Sequence, residues 1–140
     1  MSQFNWCFTV PGVPIAKPRQ TQSDRWKQRE PVVKYRAFAD LLRLYAQKAH
    51  WRESENTLYT LILVFYLPIP KSVSLKQQKR LAGHRHPVKP DLSNLIKSVE
   101  DSLFLHDQAI CSVTAAKIYD DGKGPRTEIT ILRFKEDEYL

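Results

Sequence analysis

Cysteine is scarce in this chain. Only Cys7 and Cys111 occur among its 140 residues, far apart and with no CxxC spacing. That removes the pattern of a disulfide framework or a cysteine-based zinc site. Both stand in apolar, strand-like stretches, so both are expected to be buried free thiols in a reducing cytoplasm. Long apolar runs are missing too. The longest, Leu58 to Leu67, is far too short to span a bilayer and reads as a buried strand. The opening MSQFNWCFTV has neither a positive stretch nor an apolar core, so no secretory signal is expected. A cytoplasmic protein without a membrane partner follows. No repeat, low-complexity tract or linker divides the chain, and one domain over residues 1–140 is expected.

What is present is a hydrophobic fraction of 42% and a charged fraction of 26%, as in a chain that folds around a core. The net charge of +7 is unevenly spread. Residues 1–97 hold 17 Lys/Arg and 6 Asp/Glu, whereas residues 98–140 hold 5 and 9. A basic body with an acidic last third suits a polyanion surface beside a carboxylate-bearing site, although ordinary surface chemistry gives the same sum.

Periodicity divides the chain into seven elements. Gln3 to Val10 alternates as a first strand, and a loop rich in Lys, Arg and Gln runs from Pro11 to Glu30. From Pro31 to about His50, Val33, Ala37, Phe38, Leu41, Leu42, Tyr45 and Ala49 recur at helical spacing. Thr57 to Leu67 is apolar on both faces, as a central strand covered on both sides is. Ser72 or Ser74 caps a short basic helix over Leu75–Ala82. Asp91 to Phe104 forms a helix with a Leu92, Leu95, Ile96, Val99, Leu103 stripe. Two closing strands, Ala109–Tyr119 and Arg126–Phe134, are joined by Asp120–Pro125, which reads as a hairpin loop. The predicted class is α+β: a mixed sheet of about four strands with helices packed on it, in the order β-α-β-α-α-β-β.

Chemistry concentrates in Lys89-Pro90-Asp91-Leu92-Ser93-Asn94-Leu95-Ile96-Lys97. Pro90 disfavours helix before it and sets Asp91 at the helix mouth. An N-cap role, accepting bonds from unpaired amides, explains Asp91 completely. Asn94, Lys97 and Asp101 fall opposite the leucine stripe, with Asp91 on their flank; a solvated face has the same pattern. Asp107 enters the next strand, and a strand packed beside the helix could carry it towards the helix mouth. Two carboxylates meeting amid basic residues would hold Mg²⁺, which takes oxygen ligands and keeps several waters. Such an ion would activate water and neutralise charge on a scissile phosphate.

KPDLSNLIKSVEDSL followed by LHDQAI resembles the RusA family of phage and prophage Holliday-junction resolvases, whose signature reads approximately K-P-D-x-D-N-x-x-K with a later acidic pair. The resemblance implies a RusA-like fold and a homodimer that binds branched double-stranded DNA. It also implies that four-way junctions are resolved by paired nicks, with Mg²⁺ or alternatively Mn²⁺, in recombination and repair. By this likeness Asp91 and Asp107 are the metal-binding carboxylates, Lys97 is the catalytic lysine, and Asn94 and Asp101 are supporting residues. Ser93 stands where the family has a second aspartate. A hydroxyl is a neutral and weaker ligand, which puts turnover in doubt and leaves the alternative of a junction-binding protein with weakened cleavage.

Two basic clusters would serve DNA. Lys17, Arg19, Arg25, Lys27, Arg29, Lys34 and Arg36 surround Trp26, which either stacks on an exposed base at a branch point or packs beneath its own loop. Lys76, Arg80, Arg85 and Lys89 form a second cluster with His84 and His86 between them, read as a phosphate-facing loop. A basic RNA-binding or assembly protein is the remaining class; competition between four-way DNA, duplex and structured RNA separates it.

Overall fold

The computed structural model describes residues 5–19 and 29–134. Four strands, β1 (Asn5–Pro11), β2 (Leu58–Leu67), β3 (Ile110–Tyr119) and β4 (Arg126–Phe134), form one sheet in the order β1-β4-β2-β3. Three helices accompany it: α1 (Glu30–Lys48), α2 (Leu75–Leu81) and α3 (Leu92–Leu103). The α+β class and the order β-α-β-α-α-β-β are as expected.

The pairing of the last two strands is not. β4 is antiparallel to both β1 and β2, and β3 pairs with β2 in parallel. β2 therefore lies between β3 and β4, and Asp120–Pro125 passes over its end rather than closing a hairpin; Asp120 N donates to the Leu67 carbonyl there at 2.7 Å. Consecutive strands usually neighbour one another, but here the most apolar strand takes the centre of the sheet. A parallel β2–β3 pair also needs a crossover, and α2 and α3 supply it.

β2 alternates. Tyr59, Leu61, Leu63, Phe65 and Leu67 are buried, whereas Thr60, Ile62, Val64 and Tyr66 are partly or well exposed. The buried set joins Val10, Ile129 and Ile131 of the sheet, Phe38, Leu42 and Ala46 of α1, and Leu95, Val99 and Leu103 of α3 in one core. Helices thus cover one face, not two. Each fully buried Leu or Phe contributes on the order of 1.5–3 kcal/mol.

α1 turns inward on Val32, Phe38, Ala39, Leu42 and Ala46, while Val33 is 45% exposed. Its buried stripe is displaced from the expected one: Val32 and Ala39 are buried where Val33 and Ala37 are exposed. α2 buries none of its residues and is capped by Ser74, whose Oγ accepts from Gln77 N at 3.2 Å. Both cysteines are exposed rather than buried. Cys7 alternates with the inward Trp6 and Phe8, and Cys111 is the second residue of the edge strand β3. Among the described residues no helix is long and apolar enough to cross a membrane.

Candidate active site and nucleic-acid interface

α3 carries the site because its two faces differ. Leu95, Val99 and Leu103 enter the core, and Ser93, Lys97 and Asp101 are left exposed. The segment that follows β1 lies along this helix. Ser98 Oγ donates to the Ile15 carbonyl at 2.7 Å, and Lys17 N donates to the Asn94 carbonyl at 3.0 Å. This lays Lys17 over α3, where its ammonium pairs with the Asp101 carboxylate. That hydrogen bond is the main reason the Lys17 pKa lies above its ordinary value. Lys17, Pro18, Arg19, Asn94 and Lys97 line a cavity of about 390 Å³.

Asp91 occupies the N-cap position of α3, yet its side chain makes no capping hydrogen bond. Its exposed carboxylate is free of the structural role that would otherwise explain it. Lys89 and Pro90 precede it through a cis peptide bond. Asp107 opens a one-turn 3-10 helix, Asp107–Ala109, and is exposed. Between the two in the chain lies Glu100, half-buried, whose carboxyl is pushed above its ordinary pKa first by burial and then by the charges of Asp107 and Asp101, against the opposing pull of Lys97. Asp107, Asp101, Glu100, Lys97 and Lys17 thus share one electrostatic neighbourhood.

Asp91 stands apart from that group. α3 has 12 residues, and at about 1.5 Å per residue its length of roughly 18 Å separates the helix mouth from the turn that bears Asp107. The strand does pack beside the helix, but its far end meets the mouth: Lys117, not Asp107, reaches it, donating from Nζ to the Pro90 carbonyl at 2.7 Å. Hard carboxylate oxygens suit a divalent cation, so the donor type fits. The arrangement within one chain does not. Among the described residues no three His, Cys, Asp or Glu side chains gather as a ligand set.

The basic residues are distributed around this face. Arg19 is exposed at the cavity, and its carbonyl accepts from Arg29 at 2.9 Å. Lys34 pairs with Glu30 at 3.2 Å. Lys76 and Arg80 are exposed on α2, and Arg85 and Lys89 are exposed in the following loop. Arg85 forms an isolated bridge with Ile118. Arg25, Trp26 and Lys27 lie outside the described residues. His86, expected to face phosphate, is buried against Tyr119 with ring centroids 4.6 Å apart.

The profile of the family described as Endodeoxyribonuclease RusA matches residues 11–132. The chain belongs to the RusA family. It is also 29% identical over 135 residues to the uncharacterized protein YqaN of Bacillus subtilis (strain 168), covering 89% of this chain and 93% of that one. RusA membership supports a junction-resolving endonuclease, since the family acts on branched DNA. Within the RusA fold, two charged residues at the ends of α3 escaped the sequence reading: Lys117 at the mouth and Glu53 beyond Leu103. Each lies far along the chain from what it touches, so no local pattern marks it.

Proposed function

We propose that this chain is a divalent-cation-dependent endonuclease that resolves four-way DNA junctions by paired nicks, as a homodimer of the kind prophages carry for recombination and repair. The observation that carries the reading is the cavity lined by Lys17, Arg19, Asn94 and Lys97 on the motif helix, beside Asp101 and Asp107. A phosphate seated there meets cations, and Lys97 stabilises charge on the phosphate or the leaving oxygen as oriented cations do in phosphoryl transfer. Asn94 and Asp101 support that surface, the latter by holding Lys17. Arg19, Arg29, Lys76, Arg80, Arg85 and Lys89, together with Arg25, Trp26 and Lys27, take the DNA arms.

Magnesium, or manganese in its place, supplies Lewis acidity and an activated water when bound. Asp91 and Asp107 are its acidic donors, and Ser93 offers a weaker oxygen beside Asp91. Since these aspartates stand at opposite ends of α3, one protomer alone does not bring both to one ion. A homodimer that sets the helix mouth of one copy against the 3-10 turn of the other gathers both.

Cleavage of a synthetic four-way junction in Mg²⁺ and Mn²⁺ tests the reading. Paired nicks are expected, lost in Asp91→Asn, Asp107→Asn and Lys97→Ala. Mixing Asp91→Asn with Asp107→Asn protomers should restore one nicking site per dimer. Silence of the mixture with activity of the parent places both carboxylates in one chain's site. Tight junction binding without nicks, in either ion, favours the weakened binder that Ser93 suggests.

A further inference from the structure

We infer that Lys117 and Glu53 are positioning residues that hold the backbone on either side of α3, and through it the carboxylates of Asp91 and Asp107; the catalytic part of this inference rests on the function proposed above. Lys117 projects from β3, half-buried, and its ammonium donates to two carbonyls, Val88 at 2.6 Å and Pro90 at 2.7 Å. These carbonyls flank Lys89, so one cation fixes the peptide planes leading into Asp91. The carboxylate of Asp91 takes no capping bond, which leaves its backbone as the device that aims it.

Glu53 does the converse at the other end. Its Oε1 accepts from Leu105 N at 2.7 Å and its Oε2 from His106 N at 3.2 Å. An anion thus grips the two amides immediately before Asp107. Its platform is firm: Trp51 Nε1 donates to the Leu103 carbonyl at 3.0 Å, and the Trp51 ring lies 5.0 Å from that of Phe104. The signs are matched to the task. A cation satisfies carbonyls and an anion satisfies amides, and neither charge is spent on the carboxylate it positions. Outer partners of metal-binding groups commonly tune affinity by orienting them.

Lys117→Met keeps the stem and removes the charge; Glu53→Gln keeps one acceptor and loses the other. Lys117→Arg is the conservative control. Amide hydrogen exchange of the full chain, without divalent ions, is the first measurement. Lys117→Met should speed exchange at Asn94 and Leu95, whose amides bond the Asp91 carbonyl, by about tenfold relative to the centre of β2. Glu53→Gln should do so at Leu105 and His106. Lys117→Arg should retain most of the protection. The second measurement is cleavage. Each charge-removing variant should raise the Mg²⁺ concentration for half-maximal nicking by about tenfold or more, while junction affinity in EDTA changes by less than about twofold.

Unchanged exchange at these amides, or a uniform rise across the sheet, overturns the inference. So does a lowered melting temperature with the magnesium dependence of nicking unmoved, because a merely structural role predicts that. If the parent protein nicks no junction in either ion, the proposed function fails; exchange at the named amides then decides the positioning claim alone.

Discussion

The ammonium of Lys17 is bound to the carboxylate of Asp101, which fastens the segment Ile15–Lys17 along the polar face of α3. About a third of each side chain remains exposed, so the pair works in partly screened surroundings and its net energy is small. Its consequence is for binding: a cation at the cavity mouth is already neutralised. Asp101→Asn releases Lys17 and removes a negative charge that DNA must approach. Junction affinity should rise about threefold at moderate salt, with the salt dependence steeper by roughly one counterion. Titration at several salt concentrations checks this. A fall in affinity would mean that Asp101 matters instead for keeping Ile15–Lys17 in place.

Ser93 is exposed two residues beyond Asp91. Replacing it by aspartate adds a hard anionic donor at the helix mouth, which strengthens a divalent-cation site. Nicking at limiting Mg²⁺ is expected to increase about tenfold, and less at saturating Mg²⁺. Rates over a magnesium titration decide the matter. An unchanged Ser93→Asp protein beside an inactive Asp91→Asn protein would show that the carboxylates already present suffice.

His86 supplies a pH dependence. Burial lowers its pKa below the ordinary value, the Lys117 ammonium adds to the effect, and the Nδ1 contact with the Val88 carbonyl at 3.0 Å opposes it. Tyr119 packs against the ring from β3, tilted by 50°. The unfolded chain takes up this proton near pH 6.5, whereas the folded chain resists it to lower pH. Stability is therefore complete above the unfolded value and declines as pH falls through it towards the lowered folded value. Urea midpoints at several pH values should follow this course, and His86→Gln should flatten it.

Thr127 presents the opposite case, a polar group with nothing to do. It is fully buried on β4, and its Oγ1 has no hydrogen-bond partner among the described residues. Valine has nearly the same shape and no hydroxyl to desolvate. Thr127→Val should stabilise the fold by about 1 kcal/mol, a rise of roughly 3 °C in melting temperature for a chain of this size. Calorimetry checks the prediction, and a loss of stability would reveal a partner for the hydroxyl.

Local chemistry made much of the molecule legible before any coordinates. Pro90 and the Leu95, Val99, Leu103 stripe sufficed to place α3 and its polar face, because a helix's period and its punctuation are written in neighbouring residues. Ser72 or Ser74 marked the start of α2 for the same reason, and the cap is Ser74. Strand order was different: β3 and β4 follow one another in the chain, but β2 separates them, since burying Leu61, Leu63 and Phe65 at the centre of the sheet outweighs the short connection. The exposure of Cys7 and the burial of His86 likewise depend on which sheet face the helices cover. So do the grips of Lys117 on Pro90 and Glu53 on Leu105, each spanning distant segments. The residue types needed for DNA and metal chemistry were determined by the sequence itself. The separation of Asp91 from Asp107 was decided only by the tertiary structure, because a rigid helix of fixed rise stands between them.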